Sequence, residues 1–289
     1  MRLTASRRQI WPEGRQAAVS ITFDNLGEAA ELELGLLPDG HPVGRHYSVT
    51  NALPIVLEEL DGASLPATFF IEGLNAQVYP EALRGIADAG HEVAYHAWRH
   101  EDWIRLEPAE EEANLARGVE AMRAIGLAPA GFRPPGGLLS ENTFGLLRKH
   151  DLSYCSPAGT GAGINTVVVL PFAWRAVDAY HVLPAFAALR GHFSGSQEPG
   201  GPEAVRDSLL AAIDDAAACG GHTSLVLHTW MIELEREVVH EILSRVDSGV
   251  ASGQLWAARC DETARWIASQ PANFVDPPRM DPTSWMQPA

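Results

Sequence analysis

His96 and His100 stand four residues apart in the segment 90–100, directly after a short apolar run. Two imidazoles at i and i+4 share one face of a helical turn, where their ring nitrogens can converge on one ion. Neutral imidazole is a good ligand for a divalent metal. A lone pair of this kind is as much at home on a surface or packed in a core, so it gains meaning only from its company. That company stands at the carboxyl ends of other apolar runs: Asp24 and Asn25 after 17–23, Arg133 after 130–132, and His228 after 224–227. Singly, Asp24 reads as a turn residue, Arg133 as half of a structural ion pair and His228 as a satisfied core histidine. Together they point to metal-assisted or acid–base hydrolysis.

Such residues need elements that bring them together. Apolar, β-branched runs at 17–23, 67–71, 91–95, 130–133, 152–155, 166–170, 224–227 and 255–258 read as strands. Helix-like stretches fall between them, at about 52–60, 80–89, 108–125, 141–150, 202–218, 235–250 and 261–269. Pro80 and Pro202 suit a first helical turn, Ser140 and Asp261 suit N-caps, and Gly90, Gly126 and Gly253 suit helix ends. This alternation implies an α/β fold with a mostly parallel sheet and helices outside. A closed (β/α) barrel is the leading architecture, and an open doubly wound sheet is second. In a barrel the carboxyl ends of all strands open on one rim, which gathers the residues named above. Residues 26–49 form a long connection of the kind that often serves as a lid. From Gln270 the chain is Pro-rich and aperiodic, and is expected to wrap the surface or lack order.

The 289 residues carry a formal net charge of −16, which disfavours nucleic acid and anionic membranes as partners. No run is apolar enough to span a bilayer, and no signal-like stretch follows the first arginines, so a cytoplasmic location is expected. Cys155, Cys219 and Cys260 are isolated and odd in number, which suits small core residues of a reduced compartment.

Thr22-Phe-Asp-Asn25, Ala67-Thr-Phe-Phe-Ile-Glu-Gly73, the His96–His100 segment, Phe132-Arg-Pro-Pro-Gly-Gly137 and Leu225-Val-Leu-His228 follow in a telling order. In this the chain resembles the polysaccharide deacetylase (NodB-homology, carbohydrate esterase 4) family from about Trp11 to Ala268. The opening Trp11-Pro-Glu-Gly14 looks more like its intracellular branch, the allantoinase-like and peptidoglycan-deacetylase-like enzymes acting on amides and cyclic ureides. The resemblance implies a single NodB-like domain over 1–289, with a core at about 11–268 and a Pro-rich tail at 270–289. It implies a distorted (β/α) barrel of seven to eight strands with the active site at the C-terminal rim. It also implies a divalent metal, zinc first, with manganese, cobalt or nickel as alternatives, held by His96 and His100. By the same resemblance Asp24 is the general base, Arg133 its partner and His228 the general acid. Asp178, in Trp174-Arg-Ala-Val-Asp-Ala-Tyr180, is the carboxylate that orients this acid.

Two positions depart from the family pattern. Asn25 stands where a second aspartate usually supplies the third metal ligand, and an amide oxygen carries no charge. Glu28 or Asp24 could take that place instead, or the protein could work without metal. Gly136 stands where an aromatic residue is common, although the backbone N–H that serves as oxyanion donor is kept. The implied reaction is metal-dependent hydrolysis of a non-peptide C–N bond, releasing acetate from an N-acetylated sugar or a related small amide. Ring opening of a cyclic ureide or imide is the alternative, and a catalytically silent binding protein is a third reading that Asn25 keeps open. The expected partner is a small neutral substrate, with no nucleic acid and no membrane; self-association into a homo-oligomer is compatible with this. Trp98, Trp103, Trp174 and Trp230 lie near the motifs and could stack on a ring or pack the rim.

Overall fold

The computed structural model describes residues 11–38 and 40–286. Its strands, in chain order, are β1 (Ala17–Asp24), β2 (Ala67–Ile71), β3 (Glu92–Tyr95), β4 (Gly131–Phe132), β5 (Tyr154–Cys155), β6 (Gly159–Thr160), β7 (Gly163–Ile164), β8 (Val168–Val169), β9 (His222–His228), β10 (Leu255–Ala257) and β11 (Arg279–Met280). Nine of them form one curled sheet in the order β10-β1-β2-β3-β4-β5-β8-β7, with β9 paired to β1; β6 and β11 make a separate ribbon. Within the large sheet only β7 runs antiparallel to its neighbour. β10 and β2 share one edge of β1, the first along Ala17–Val19 and the second along Ile21–Asp24, while β9 fills the other edge. This is the half-barrel form of the expected (β/α) barrel. The eight expected strands are all present, each end within two residues of its expected place.

β1 shows how the sequence builds the site. Successive side chains of a strand point to opposite faces. Ala17, Val19, Ile21 and Phe23 face outward into the core shared with the helices Gly201–Cys219 and Arg236–Ala251. On the other face Ala18 joins Phe70, Ala94, Tyr154 and the helix Cys260–Ser269 in an inner apolar plug. Above the plug, Thr22 and then Asp24 carry polar groups up to the rim. A strand buried on both faces needs no amphipathic pattern, which is why 17–23 reads as nearly continuous apolar sequence.

Some expected caps differ. Asp261 lies one residue inside its helix, behind Arg259 at the N-cap. The first two N–H groups of this helix end go to Thr68 and the buried Glu92 (2.8 and 2.9 Å), and Asp261 Oδ1 accepts the third, from Glu262 (2.9 Å). Asn142, not Ser140, immediately precedes the helix Thr143–Lys149; the Ser140 hydroxyl accepts the Asn142 N–H (3.1 Å) and donates to Glu111. Among the described residues no helix is long and apolar enough to cross a membrane.

Candidate active site

The register of β1 and β9 places Asp24 directly opposite His228. Neighbouring strands lie about 4.8 Å apart, so the two residues stand side by side at the rim. Arg133, just past β4, reaches across the interior to meet Asp24. Its Nη1 donates to Asp24 Oδ1 (2.5 Å) and to Thr22 Oγ1 (2.8 Å). Its Nη2 donates to Ser156 Oγ (3.0 Å), and the guanidinium lies over the Phe70 ring at 4.0 Å. Arg133 is 1 % exposed and Asp24 7 %. With every other direction closed, the pair fixes the Asp24 carboxylate in one orientation, and loss of either partner would leave an uncompensated buried charge.

Asp178 opens the short helix Asp178–Val182 and performs the parallel task for His228. Its Oδ1 bonds His228 Nδ1 at 2.6 Å, and its Oδ2 accepts the His228 backbone N–H at 2.7 Å. The imidazole is thereby fixed in orientation, with Nε2 as its remaining nitrogen. Burial works against the imidazolium, but the charge and hydrogen bond of Asp178, helped by the Asp24 charge, outweigh it and raise the His228 pKa above the ordinary histidine value. A histidine so held keeps its proton to higher pH than a free one, as a general acid needs.

His96 and His100 also meet, but not on a helix. Residues 96–100 form a loop after β3, bent by Ala97 at φ 63° and His100 at φ 78°. A left-handed conformation is uncommon for residues other than glycine and is held here by the loop's hydrogen bonds. Gly73 and Leu74 donate to the carbonyls of Ala97 and Trp98 (2.9 and 3.0 Å). The Glu101 carboxylate accepts the N–H groups of Trp98 and Arg99 (3.1 and 2.8 Å). The result brings the two imidazole centroids to 5.0 Å, edge to face. His96 Nδ1 bonds the Arg133 carbonyl (2.7 Å), which fixes Nδ1 as the protonated nitrogen and leaves the Nε2 lone pair free. Burial pushes both imidazoles down to about 3, so both are neutral over the physiological range. Neutral imidazole is the form that binds metal.

The donor set suits a divalent ion, with one qualification of charge. Asn25 Oδ1 and His100 Nδ1 are buried with no hydrogen-bond partner, whereas buried polar atoms are normally paired. Both residues line one cavity with His96. The third donor is an amide: among the described residues no cluster of three or more His, Cys, Asp or Glu is arranged for a metal. Glu28 does not fill the gap. Its carboxylate accepts Gly44 N (2.9 Å) and Tyr79 Oη–H (2.7 Å), and so pins the connection 26–47 to the body of the protein. Asp24 is committed to Arg133 through Oδ1.

The cavity holds about 200 Å³ and is lined by Asp24, Asn25, His96, His100, Arg133 and His228, and otherwise by apolar residues. Trp174 and Trp230 are among these, and Trp230 stacks on His228 with centroids 5.5 Å apart. Trp98 and Trp103 are not: Trp98 carries the Arg117 guanidinium at 3.5 Å, and Trp103 is buried beside Phe132. Three contributors escape the sequence reading. Leu34 and Leu36 come from the long connection, and Trp285 comes from the aperiodic tail. Glu72, just behind the site, is fully buried; burial, reinforced by the Asp24 charge, pushes its carboxyl up to about 8 against the opposing backbone hydrogen bonds. It stands at the carboxyl end of β2, so the strand-end rule that found Asp24 and His228 would have found it too.

Comparison with known proteins places the chain by sequence and by fold. Residues 13–155 match the polysaccharide deacetylase family profile. A Helicobacter pylori peptidoglycan deacetylase is 36 % identical over 103 residues, covering 35 % of each chain. The chain spans roughly a third of the length of the curated relatives it matches first. A solved Mycobacterium smegmatis protein, provisionally assigned as a polysaccharide deacetylase, superposes over the whole of both chains with a TM-score of 0.78 and 26 % identity. The Puue allantoinase structure shares the fold, with a TM-score of 0.68 over 90 % of this chain and 93 % of its own at 18 % identity. With its motifs in order on a curled sheet of this kind, the chain carries a polysaccharide deacetylase domain, matched over residues 13–155.

Proposed function

We propose that the protein is a metal-dependent hydrolase of non-peptide C–N bonds that works as a deacetylase. One observation carries the reading: two buried dyads, Asp24–Arg133 and His228–Asp178, stand in register on adjacent strands, with the two neutral imidazoles lining the same cavity. Asp24 takes a proton from the attacking water. The water oxygen bonds to the acyl carbon, the C–N bond breaks, and His228 delivers its proton to the leaving nitrogen, because an amide anion cannot leave unaided. Arg133 and Asp178 hold the base and the acid in place. The Gly136 N–H, at the cavity wall, serves as hydrogen-bond donor to the developing oxyanion. His96, His100 and Asn25 would hold the metal, which when bound favours ionisation of water near neutral pH and polarises the acyl carbonyl.

The test is a screen of acetylated sugars, aryl acetamides, cyclic ureides and cyclic imides with added zinc, manganese or cobalt, read as acid released. On the best substrate His228→Ala should lower kcat by roughly 10²–10⁴ without loss of fold or of bound metal. An unchanged kcat would overturn the assignment of the acid. The double variant His96→Ala, His100→Ala should lose its metal by elemental analysis; equal metal content would overturn the ligand pair.

A further inference from the structure

The C-terminal tail completes the wall of the active site. β11 pairs with β6, and Asp281 N–H donates to the Ala158 carbonyl (2.9 Å). Trp174 Nε1 holds the Thr283 carbonyl at 3.3 Å, and Ser284 is buried. This strap sets Trp285 into the cavity lining, its ring 6.1 Å from the His100 ring and 5.1 Å from Phe186. The strap fits only because residue 136 has no side chain. A Cβ on Gly136 would lie 2.7 Å from Ser284 Oγ and 2.8 Å from Met286 Sδ, and Gly136 also sits at φ 70°. Glycine is thus required both for the backbone and for the close approach of the tail.

The polar groups of the cavity are all engaged in the chemistry just described. Asp24, Asn25, His96, His100, Arg133 and His228 serve the dyads and the metal; every other lining residue is Leu, Val, Ala, Gly, Pro, Phe or Trp. A sugar ring placed here would set several hydroxyls against a mostly apolar wall, and each one buried unpaired is costly. A cyclic ureide, ringed by N–H and C=O groups, meets the same obstacle. The volume sets a second limit. Roughly 150 Å³ of apolar cavity suffices for a benzene-sized ring. About 200 Å³ therefore takes one flat ring and a small acyl group, not consecutive pyranoses.

We propose that the site takes short N-acylated amines bearing an aromatic or similarly apolar group beside the scissile bond, and that Trp285 is a specificity-determining residue that forms the wall for this group. This rests on the hydrolase reading above. The step is N-aryl acetamide plus water giving acetate and arylamine: the acyl C–N bond is exchanged for C–O, with protons passing through Asp24 and His228 and no change of oxidation state.

The experiment compares kcat/KM for 4-nitroacetanilide, chitotetraose and allantoin in wild-type enzyme, Trp285→Ala and Trp285→Phe, each loaded with zinc. Wild type should favour the anilide over both others by at least about a hundredfold. Trp285→Ala should reduce that preference by roughly ten- to a hundredfold, and Trp285→Phe should keep most of it. A wild-type preference for chitotetraose or allantoin, or an unchanged ratio in Trp285→Ala, would overturn the proposal while leaving the hydrolase reading intact. If no substrate is turned over, the hydrolase reading fails, and calorimetric binding of 4-nitroacetanilide still decides this one. Binding that Trp285→Ala weakens at least tenfold upholds the apolar specificity; no binding, or binding equal in both proteins, overturns it.

Discussion

Glu72 allows the electrostatics behind the site to be tested without any substrate. Its carboxyl is fully buried and stands at about 8, against an ordinary value of 4.5. Between those limits the folded protein keeps a proton that the unfolded chain has released. Stability therefore falls as pH rises through this window, by about 1.4 kcal/mol per pH unit. The full span is 8 − 4.5 = 3.5 units, which sets a ceiling of about 5 kcal/mol. Glu72→Gln replaces the group with an uncharged mimic of its protonated form. The amide oxygen can still accept Leu26 N–H (3.3 Å) and Asn75 Nδ2–H (3.0 Å), and the amide nitrogen takes the place of Oε1, which has no partner. Urea denaturation of both proteins from about pH 5.5 to about pH 7.5 should show the variant gaining on wild type by roughly 3 kcal/mol across the range. Other buried groups, such as Glu92, are common to both proteins and cancel in the difference. Parallel pH curves would refute the reasoning: Glu72 would then be ionised in the fold, and a second negative charge would stand beside Asp24.

Two further outcomes follow from the dyads and the ligand set. Asp178→Asn removes the charge that raises the His228 pKa, so the alkaline limb of the kcat–pH profile should move to lower pH and kcat should fall; an unmoved limb would mean that His228 is not the acid. Asn25→Asp should tighten zinc binding by about an order of magnitude in titrations of metal-free protein, because a charged oxygen is the better ligand; weaker binding would mean that Asn25 faces the substrate and is not a ligand.

How far the sequence reveals the site depends on how each residue is held. Asp24 and His228 are legible because a parallel strand that is apolar on both faces ends abruptly in a charged or titratable residue. Asp178 is harder: the segment 173–178 has no periodicity, and only the bridge between Val177 and Val226 brings it beside β9. The His96–His100 spacing points to two rings that do converge, but through a different geometry. Four residues suggest a helical turn, whereas the chain reaches the same convergence through two left-handed residues, a conformation set by the partners Gly73, Leu74 and Glu101 rather than by local preference. Trp285 leaves no local trace at all. A single aromatic in a Pro-rich tail reads as unstructured, and its place is decided by a glycine almost 150 residues earlier in the chain.

The two departures from the family pattern act on the same surface in complementary ways. At the rim the formal charges of Asp24 and Arg133 cancel, as do those of Asp178 and protonated His228. His96 and His100 are neutral, Asn25 is neutral by nature, and Glu72 is protonated below about pH 8. The residues therefore bring almost no net charge to the cavity. A metal ion held there would keep its full charge, which would weaken its attachment but favour ionisation of water more strongly than a carboxylate-bearing site would. That advantage survives only where bulk water is kept from screening it. Gly136 admits the strap that brings Trp285 against His100, and Leu34 and Leu36, from the connection that Glu28 pins down, add apolar surface to the cavity mouth. A weakly bound but strongly polarising ion would gain most from such a largely apolar wall. Restoring the aspartate alone should therefore raise metal affinity and lower turnover, whereas removing Trp285 alone should leave metal content unchanged and reduce the preference for apolar substrates.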